Sequence, residues 1–259
     1  MSPLMANIHP NAKIGENVII ESFVTISADV IIGDGTWIGP NAVIMDGARI
    51  GKNCKIFPGA VIAGIPQDLK FNGEETTVVI GDNTTVREFC TINRGTIAKG
   101  TTIVGNNCLL QSYSHVAHDC LLKDHVILGS YAGLAGEVEV DDYAIVSPYS
   151  AIHQFCRIGK HAFIAGGSLV RKDIPPFVLV GNDPLSFAGV NSVGLRRRGF
   201  DIDRVNDIQN VYRYIYQKGL NNSQAMQAIL AETVPSIERE EILDFIRSSE
   251  RGIVRGPQD

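Results

Sequence analysis

An aliphatic residue recurs at every sixth position through most of residues 8–170, and this period constrains the fold more than any other feature. A period of six suits neither an amphipathic helix nor a simple alternating strand, but it is typical of a β-helix built from hexapeptide repeats. Three hexapeptides would close one triangular coil, and successive coils would stack about 4.8 Å apart. The series comprises Ile8, Ile14, Ile20, Ile26, Ile32, Ile38, Ile44, Ile50, Ile56, Ile62, then Ile80, Val86, Ile92, and then Val104, Leu110, Val116, Leu122, Leu128, Leu134, Val140, Val146, Ile152, Ile158, Ile164 and Val170.

Small or β-branched residues follow most of these aliphatic residues by four positions, and turn-forming residues occupy a third phase. Large side chains facing small ones can interdigitate without voids in a narrow prism. Asn, Asp and Gly adopt a left-handed backbone at low energy, so the third phase marks corners between short strands. We therefore predict a mainly β fold, a parallel β-helix with its functional groups outside. The corner residues are Asn11, Asn17, Asp29, Gly35, Asn41, Gly47, Asn53, Gly59, Asn83 and Asn107.

Five cysteines all fall on the small, inward phase of the repeat. No CxxC pair is present, so we interpret them as buried hydrophobic residues rather than as disulfides or metal ligands. Unpaired buried thiols suit a reducing compartment. They are Cys54, Cys90, Cys108, Cys120 and Cys156.

Composition and the N-terminus bear on partners and location. The net charge of −5 gives no bulk argument for binding nucleic acid or a membrane surface. The first ten residues lack the basic and apolar regions of a signal peptide, and no apolar stretch reaches membrane-spanning length. We expect a cytoplasmic protein with no nucleic-acid partner and no membrane insertion.

The repeat is interrupted at about residues 65–79 and 97–103, where we predict loops extruded at corners of the prism. A solenoid accommodates such loops without disturbing its neighbouring coils, and they often line a binding surface. The first loop carries Gln67, Asp68 and Lys70. A solvated loop is the alternative interpretation of these polar residues.

After Pro175 and Pro176 the period ends, and helical spacing replaces it. Residues 201–217 predict a helix with Val205, Ile208, Tyr212 and Ile215 on one face, Ser223 is the expected N-cap of a second helix, and Glu238–Arg247 belongs to a third. We predict a β-helix domain over 1–185 and a helical domain over 186–259 that covers the end of the prism. Between them, Arg196–Arg198 is either a solvated helix end or a phosphate clamp.

An apolar column on the exterior predicts self-association. Residues 18 apart stack on one face, so four apolar side chains form a continuous strip. Exposed strips of this kind usually mark interfaces, and a closed cyclic oligomer is the simplest assembly. The strip consists of Leu109, Ile127, Ile145 and Phe163.

The segment QSYSHVAHDC, residues 111–120, is the strongest chemical signal. His118, Gly136 and Gln154 are spaced by 18 and should form one vertical column. An imidazole can act as a general base near neutral pH, a glycine leaves its backbone N–H accessible to an oxyanion, and a carboxamide can hydrogen-bond a substrate. These are the groups that acyl transfer requires.

Structural roles remain open for several of these residues. Asp119 occupies the corner phase, where Asp occurs for backbone reasons alone, and His125 and His161 share that phase. A zinc site would need three good ligands, whereas the coil above His115 and His118 offers only glycines. We therefore predict no metal site.

The chain resembles the UDP-N-acetylglucosamine O-acyltransferase family, which begins lipid A synthesis. The resemblance covers nearly the whole length and rests on six strings in order: QDLKF (67–71), HVAHDC (115–120), LAGEV (134–138), HQFCRIG (153–159), DIPPFV (173–178) and GVNSVGLRRRGF (189–200).

The resemblance implies a left-handed β-helix homotrimer with a C-terminal α-helical domain and active sites between subunits. It implies transfer of a (3R)-hydroxyacyl chain from acyl carrier protein to the 3-hydroxyl of UDP-N-acetylglucosamine, with no cofactor. On matching positions, His118 would be the base, Gly136 the oxyanion donor and Asp119 the group that orients the imidazole. Substrate contacts would come from Gln67, Asp68, Lys70, His115, Gln154, Asn191, Arg197 and Arg198. Gly166 matches the position that limits how deep the acyl chain reaches, and a glycine there implies room for a long chain.

Two positions depart from the family pattern. Glu137 stands where many relatives carry histidine, and Val193 replaces an acidic residue that contacts nucleotide in some members. Rival interpretations are an N-acyltransferase of the same pathway, an acetyltransferase that uses acetyl-CoA, and a non-enzymatic scaffold. The N-acyltransferases carry a globular domain before their repeats, whereas here the repeat begins by Ile8.

Overall fold

A computed structural model describes residues 5–256, which contain 27 strands, numbered β1–β27 along the chain, and four helices. Most strands have only two residues, because each hexapeptide contributes one short strand and then turns a corner. The strands fall into three sheets, A, B and C, which are visited in that order by each coil. The molecule is therefore a parallel β-helix of triangular cross-section.

The three sheets differ in length by one or two strands. Sheet A contains β1 (Asn7–Ile8), β4 (Thr25–Ile26), β7 (Val43–Ile44), β10 (Val61–Gly64), β13 (Thr91–Asn93), β16 (His115–Val116), β19 (Gly133–Leu134), β22 (Ala151–Ile152) and β25 (Leu169–Val170). Sheet B contains β2 (Lys13–Ile14), β5 (Ile31–Ile32), β8 (Ala48–Ile50), β11 (Thr77–Ile80), β14 (Thr101–Val104), β17 (Leu121–Leu122), β20 (Glu139–Val140) and β23 (Arg157–Ile158). Sheet C contains β3 (Ile19–Ile20), β6 (Trp37–Ile38), β9 (Lys55–Ile56), β12 (Thr85–Val86), β15 (Leu109–Leu110), β18 (Ile127–Leu128), β21 (Ile145–Val146), β24 (Phe163–Ile164), β26 (Val178–Gly181) and β27 (Ser186–Val190).

The predicted core is confirmed. Every aliphatic residue of the six-residue series from Ile26 to Val170 points inward and is at most 3% exposed. All five cysteines are buried among them and form no disulfide. Ile8, Ile14 and Ile20, in the first coil, are only partly buried.

The corners hold more than the predicted Asn and Gly. Eight of the ten predicted corner residues have a left-handed backbone, whereas Asn11 and Asp29 do not. Bulky residues share this conformation at other corners, including Tyr113, Tyr131 and Tyr149. Their rings stack on one another, which offsets the strain of a positive φ.

The first predicted loop is shorter than expected, and the second has the predicted length but lies three residues earlier in the chain. The first ends before β11 and the second before β14, because Thr77–Ile80 pairs in parallel with Thr101–Val104 over four residues. The corrected insertions span residues 65–76 and 94–100. They lengthen the spacing between paired residues of successive coils beyond 18, so that Val61 pairs with Thr91 and Thr91 pairs with His115.

Four helices follow the prism: α1 (Ser192–Arg197), α2 (Ile202–Tyr216), α3 (Asn222–Glu232) and α4 (Ile237–Arg247). The predicted face of α2 is buried, and the Tyr212 hydroxyl donates to the Pro176 carbonyl, 2.5 Å away, at the end of the prism. The predicted N-cap of α3 is wrong. Asn221 caps it, because Asn221 and Gln224 form a reciprocal capping box that places Ser223 inside the first turn.

The boundary predicted after residue 185 falls in the turn between β26 and β27, which pair in antiparallel fashion. The last strand of sheet C thus comes from the segment assigned to the helical domain. The short α1 was not predicted, and Arg196–Arg198 lies at its C-terminal end.

Candidate active site

His118 lies where each coil turns from sheet A to sheet B, at what is here named the A–B edge. Gly136 is the next residue up this edge, because β16 pairs with β19 in a register of His115 to Gly133. A Cβ atom on Gly136 would lie 2.5 Å from Cε1 and Nε2 of His118. Only glycine therefore lets the imidazole occupy this position.

The backbone N–H of Gly136 is available for a ligand. The amides on either side are used, since Ala135 N donates to Ile152 O and Glu137 N donates to His118 O. Within residues 5–256 the Gly136 N–H itself has no acceptor. An amide of this kind beside an imidazole is suited to receive a developing oxyanion.

Asp119 holds the imidazole from behind. Its carboxylate is fully buried, and Oδ2 lies 2.9 Å from His118 Nδ1. An anionic acceptor at Nδ1 favours the tautomer that leaves Nε2 with its lone pair exposed. Asp119 has a left-handed backbone, with φ of 60°. Its carboxylate contacts the preceding residue, His118.

The second insertion supplies further partners of the Asp119 carboxylate. The Thr96 hydroxyl donates to Oδ2 at 2.6 Å, Thr96 N donates at 3.0 Å, and Lys99 N donates at 3.2 Å. The Asp119 amide in turn donates to the Thr102 hydroxyl at 2.8 Å. Several donors to one carboxylate stabilise its charge inside the protein. Sequence reasoning missed Thr96, because it lies in a stretch without periodicity.

The first insertion brings Asp68 toward the outer side of the imidazole. Asp68 Oδ2 lies 4.0 Å from His118 Nε2, and the Lys70 amide donates to Asp68 Oδ1 at 3.0 Å. Gln67 and Lys70 have exposed side chains on the same loop. The loop is tied to the prism by Asn93, whose amide donates to the Ile65 carbonyl at 3.2 Å.

His115 begins β16, three residues before His118, and contacts Thr91, with Nδ1 and Oγ1 2.7 Å apart. Burial lowers the pKa of His115, and the neighbouring His118 lowers it further. His115 is therefore neutral at physiological pH and can exchange hydrogen bonds with a polar ligand. Gln154 is half-buried in the coil above Gly136, and Glu137, the residue after Gly136, is also half-buried.

The remaining predicted site residues lie on other edges of the same chain. Arg198 lies at the B–C edge, where its guanidinium is 5.3 Å from the Tyr143 ring and 3.4 Å from His161 Nδ1. Burial, and then the charge of Arg198, lower the pKa of His161 to about 4. Gly166 lies at the C–A edge, where an added Cβ would meet the Pro148 carbonyl at 3.3 Å.

Asn191 has a structural role that the sequence did not suggest. Its side chain is buried, accepts from Gly194 N at 3.2 Å and donates to the His161 carbonyl at 3.0 Å. It thereby caps α1 and fixes that helix to the B–C edge. Arg197 and Val193 of α1 are exposed. One chain therefore unites His118, Asp119, Gly136, His115 and Asp68, but separates them from α1 and its arginines.

No group of three or more His, Cys, Asp or Glu side chains within residues 5–256 is arranged to hold a metal ion. Over the same residues, no helix has the length and apolar character needed to cross a bilayer.

Two family profiles match the chain. Residues 29–64 and 101–136 match the bacterial transferase hexapeptide family (six repeats). Residues 173–254 match the family described as UDP N-acetylglucosamine O-acyltransferase, domain 2.

Curated relatives and solved structures agree over nearly the full length. The chain is 44% identical, over 96% of each sequence, to the acyl-[acyl-carrier-protein]–UDP-N-acetylglucosamine O-acyltransferase of Stenotrophomonas maltophilia. It superposes on a UDP-N-acetylglucosamine acyltransferase from Bacteroides fragilis with a TM-score of 0.97 and 54% identity, covering 98% of this chain and 100% of the other. The Francisella novicida enzyme of the same name gives a TM-score of 0.95 and 41% identity, with coverage of 99% and 94%.

Proposed function

The chain belongs to the UDP-N-acetylglucosamine O-acyltransferase family, and from this premise we propose that it transfers a (3R)-hydroxyacyl chain from acyl carrier protein to the 3-hydroxyl of UDP-N-acetylglucosamine. The reaction is the first step of lipid A biosynthesis. It uses no cofactor beyond the thioester that the carrier brings, and it takes place in the cytoplasm. The observation that carries the proposal is the contact of an oriented imidazole with a glycine whose N–H has no acceptor among residues 5–256.

His118 acts as the general base. Its Nε2 removes the proton of the sugar hydroxyl as that oxygen attacks the thioester carbonyl. An ester C–O bond forms, the carbonyl electrons move onto oxygen, and the Gly136 N–H donates to the resulting oxyanion. Collapse of this intermediate breaks the C–S bond, and the imidazolium returns its proton to the departing thiolate.

Asp119 keeps the imidazole in the reactive tautomer throughout this cycle. The buried carboxylate also stabilises the positive charge that the ring carries after it takes the proton. Direct attack is the simplest pathway, because the base already faces the space between Asp68 and Gly136. Asp68, Lys70, His115, Gln67 and Gln154 then bind the sugar and its phosphates.

A homotrimer would complete this site. Arg198 and α1 occupy the B–C edge, whereas His118 occupies the A–B edge, so the two can share a substrate only across a subunit boundary. The apolar strip of Leu109, Ile127, Ile145 and Phe163 is partly exposed on sheet C and gives the chains a surface on which to associate. Arg197, Arg198 and Asn191 of one subunit would hold the nucleotide end, and Gly166 leaves room for a long acyl chain.

A product assay tests the activity. We expect mass spectrometry to detect 3-O-acylated UDP-N-acetylglucosamine when the protein is mixed with hydroxyacyl carrier protein and the sugar nucleotide. Acetyl-CoA should not replace the carrier. Acylation with acetyl-CoA alone, or no product with any hydroxyacyl carrier protein, would reject the proposal.

Mixed oligomers test the shared site. His118→Ala and Arg198→Ala should each be nearly inactive alone. After unfolding and refolding together, they should recover part of the activity, because some clefts then combine an intact His118 with an intact Arg198. Recovery of no activity, with trimers present by analytical ultracentrifugation, would contradict a site shared between subunits.

A further inference from the structure

The first insertion carries two of the proposed sugar-binding residues, Asp68 and Lys70, but few contacts hold it against the prism. Its hydrogen bonds are local: the Lys70 amide donates to Asp68 Oδ1 and the Phe71 amide to the Asp68 carbonyl, both at 3.0 Å. Within residues 5–256, no residue from 67 to 75 forms a hydrogen bond outside the insertion. A contact of another kind must therefore fix the place of Asp68.

Arg94 lies directly below the proposed base. Since β13 pairs with β16, Arg94 stands one strand spacing beneath His118 at the A–B edge. Its side chain runs down this edge, and Nη1 donates to the carbonyl of Asp46, two coils lower, at 3.3 Å. The guanidinium therefore reaches the level at which the first insertion leaves the prism, after Gly64.

Phe71 is the residue of the insertion that meets this arginine. The guanidinium carbon of Arg94 lies 5.4 Å from the centroid of the Phe71 ring, within the range of about 6 Å for a cation–π contact. Phe71 is half-buried, whereas Leu69 of the same loop is fully exposed. The insertion thus turns an aromatic side chain toward the prism and toward a cation.

Little else holds the Arg94 guanidinium. The bond to Asp46 is its one side-chain hydrogen bond among residues 5–256, and Arg94 forms none of the salt bridges in that range. Its Nε is buried without a partner in the described part of the chain. A planar cation that is partly desolvated and lacks a carboxylate gains more from an aromatic face than a solvated one does. The ring of Phe71 is therefore a main partner of Arg94.

We propose that Arg94 and Phe71 are positioning residues whose contact keeps Asp68 beside His118, an inference that rests on the proposed function. Asp68 Oδ2 lies 4.0 Å from His118 Nε2, and the amides of Lys70 and Phe71 both donate to Asp68. A shift of the aromatic ring therefore moves the carboxylate with it. Binding of the sugar then depends on two side chains that take no part in the proposed chemistry.

Kinetics of Phe71 variants test this role. Phe71→Leu keeps an apolar side chain but removes the aromatic face, and should raise KM for UDP-N-acetylglucosamine about fivefold while kcat stays within about twofold. Phe71→Tyr keeps the ring and should restore KM. A variant that only destabilised the prism would instead lower kcat, through loss of active protein, at unchanged KM. Arg94→Gln should raise KM equally, and the double variant no further, because both changes remove one contact.

Trypsin cleavage after Lys70 measures the position of the insertion without any turnover. Arg94→Gln leaves the sequence of the insertion intact, and a released loop should be cut about fivefold faster between Lys70 and Phe71. Mass spectrometry of the fragments identifies this cut. Arg49→Gln is the matched control, because Arg49 likewise donates to a backbone carbonyl, at 2.9 Å, but has no cation–π contact within residues 5–256. It should change neither the cleavage rate nor KM.

Unchanged KM in Phe71→Leu and Arg94→Gln would overturn the positioning role, and so would KM increases that add in the double variant. Cleavage separates these outcomes from failure of the proposed function. If Arg94→Gln is cut faster but the unmodified protein forms no acylated sugar, the contact stands as what holds the insertion, and the proposed function fails. If the cleavage rate is unchanged, the positioning role fails even when turnover is normal.

Discussion

The A–B edge and the C–A edge hold their corner residues in the same left-handed backbone, yet they carry unlike side chains. Asp119 and Glu137 on the first edge have φ of 60°, and Tyr113 and Tyr131 on the second have φ of 63° and 58°. Asp119 is fully buried and hydrogen-bonded to an insertion, whereas Tyr113 and Tyr131 are half-exposed and stacked with ring centroids 4.9 Å apart. The repeat thus specifies the corner conformation, and the insertions distinguish the corner at which we propose that the chemistry takes place.

The largest effect is expected at His118. Loss of a general base typically lowers a rate by about 10²–10⁴-fold, so His118→Ala should reduce kcat by that factor with little change in melting temperature. His125→Ala is the matched control, because His125 is also a left-handed corner histidine, stacked on Tyr143 at the B–C edge. Similar losses in both variants would show that a left-handed corner histidine on the B–C edge matters as much as His118 does.

A smaller loss is expected from Gly136→Ala. The added methyl group would lie 2.5 Å from the imidazole, which must then move, and a displacement of about 1 Å can lower a rate about 10²-fold. Gly133→Ala serves as control, because a Cβ at Gly133, three residues earlier, has no neighbour within 4 Å. Steady-state kinetics should show normal turnover for Gly133→Ala. Normal turnover for Gly136→Ala would contradict the close contact.

Thr96→Val should lower kcat about tenfold, because it removes one hydrogen bond to the charged Asp119 and lets the imidazole rotate. KM for the sugar nucleotide should stay constant, since Thr96 is buried behind the carboxylate. Thr96→Ser keeps the hydroxyl and should restore kcat. A rise in KM with unchanged kcat would show that Thr96 acts on substrate binding instead.

The smallest effect is expected on the C–A edge. Tyr113→Ala removes stacking on Phe89 and Tyr131, and should lower the free energy of unfolding by about 1–2 kcal/mol while kcat stays within a few-fold of the original. Urea unfolding measures the first quantity and the acylation assay the second. Tyr113→Phe keeps the ring and should change neither. A hundredfold loss of kcat in Tyr113→Ala would contradict the proposal that catalysis depends on the A–B edge and not on the C–A edge.

The sequence predicted the periodic parts of the molecule well, because one aliphatic position per hexapeptide determines both the core and the stacking register. The spacing of 18 residues is enough to place His118 beneath Gly136. Non-periodic parts were predicted less well. Nothing in the spacing of Thr96 indicates that its loop folds back onto Asp119, and the capping of α3 by Asn221 depends on a reciprocal contact with Gln224. The edge on which α1 and Arg198 lie depends on Asn191 bonding to the B–C corner.

The five buried cysteines are spread along the prism, so their reactivity can report which coils open. Burial raises the pKa of each thiol, to about 11 for Cys108 and about 12 for Cys120, so thiolates suited to alkylation are scarce while the coils stay closed. A maleimide or iodoacetamide reagent can then modify a given cysteine only when its own coil separates from its neighbours. The order in which Cys54, Cys90, Cys108, Cys120 and Cys156 become labelled would trace local unfolding from coil to coil.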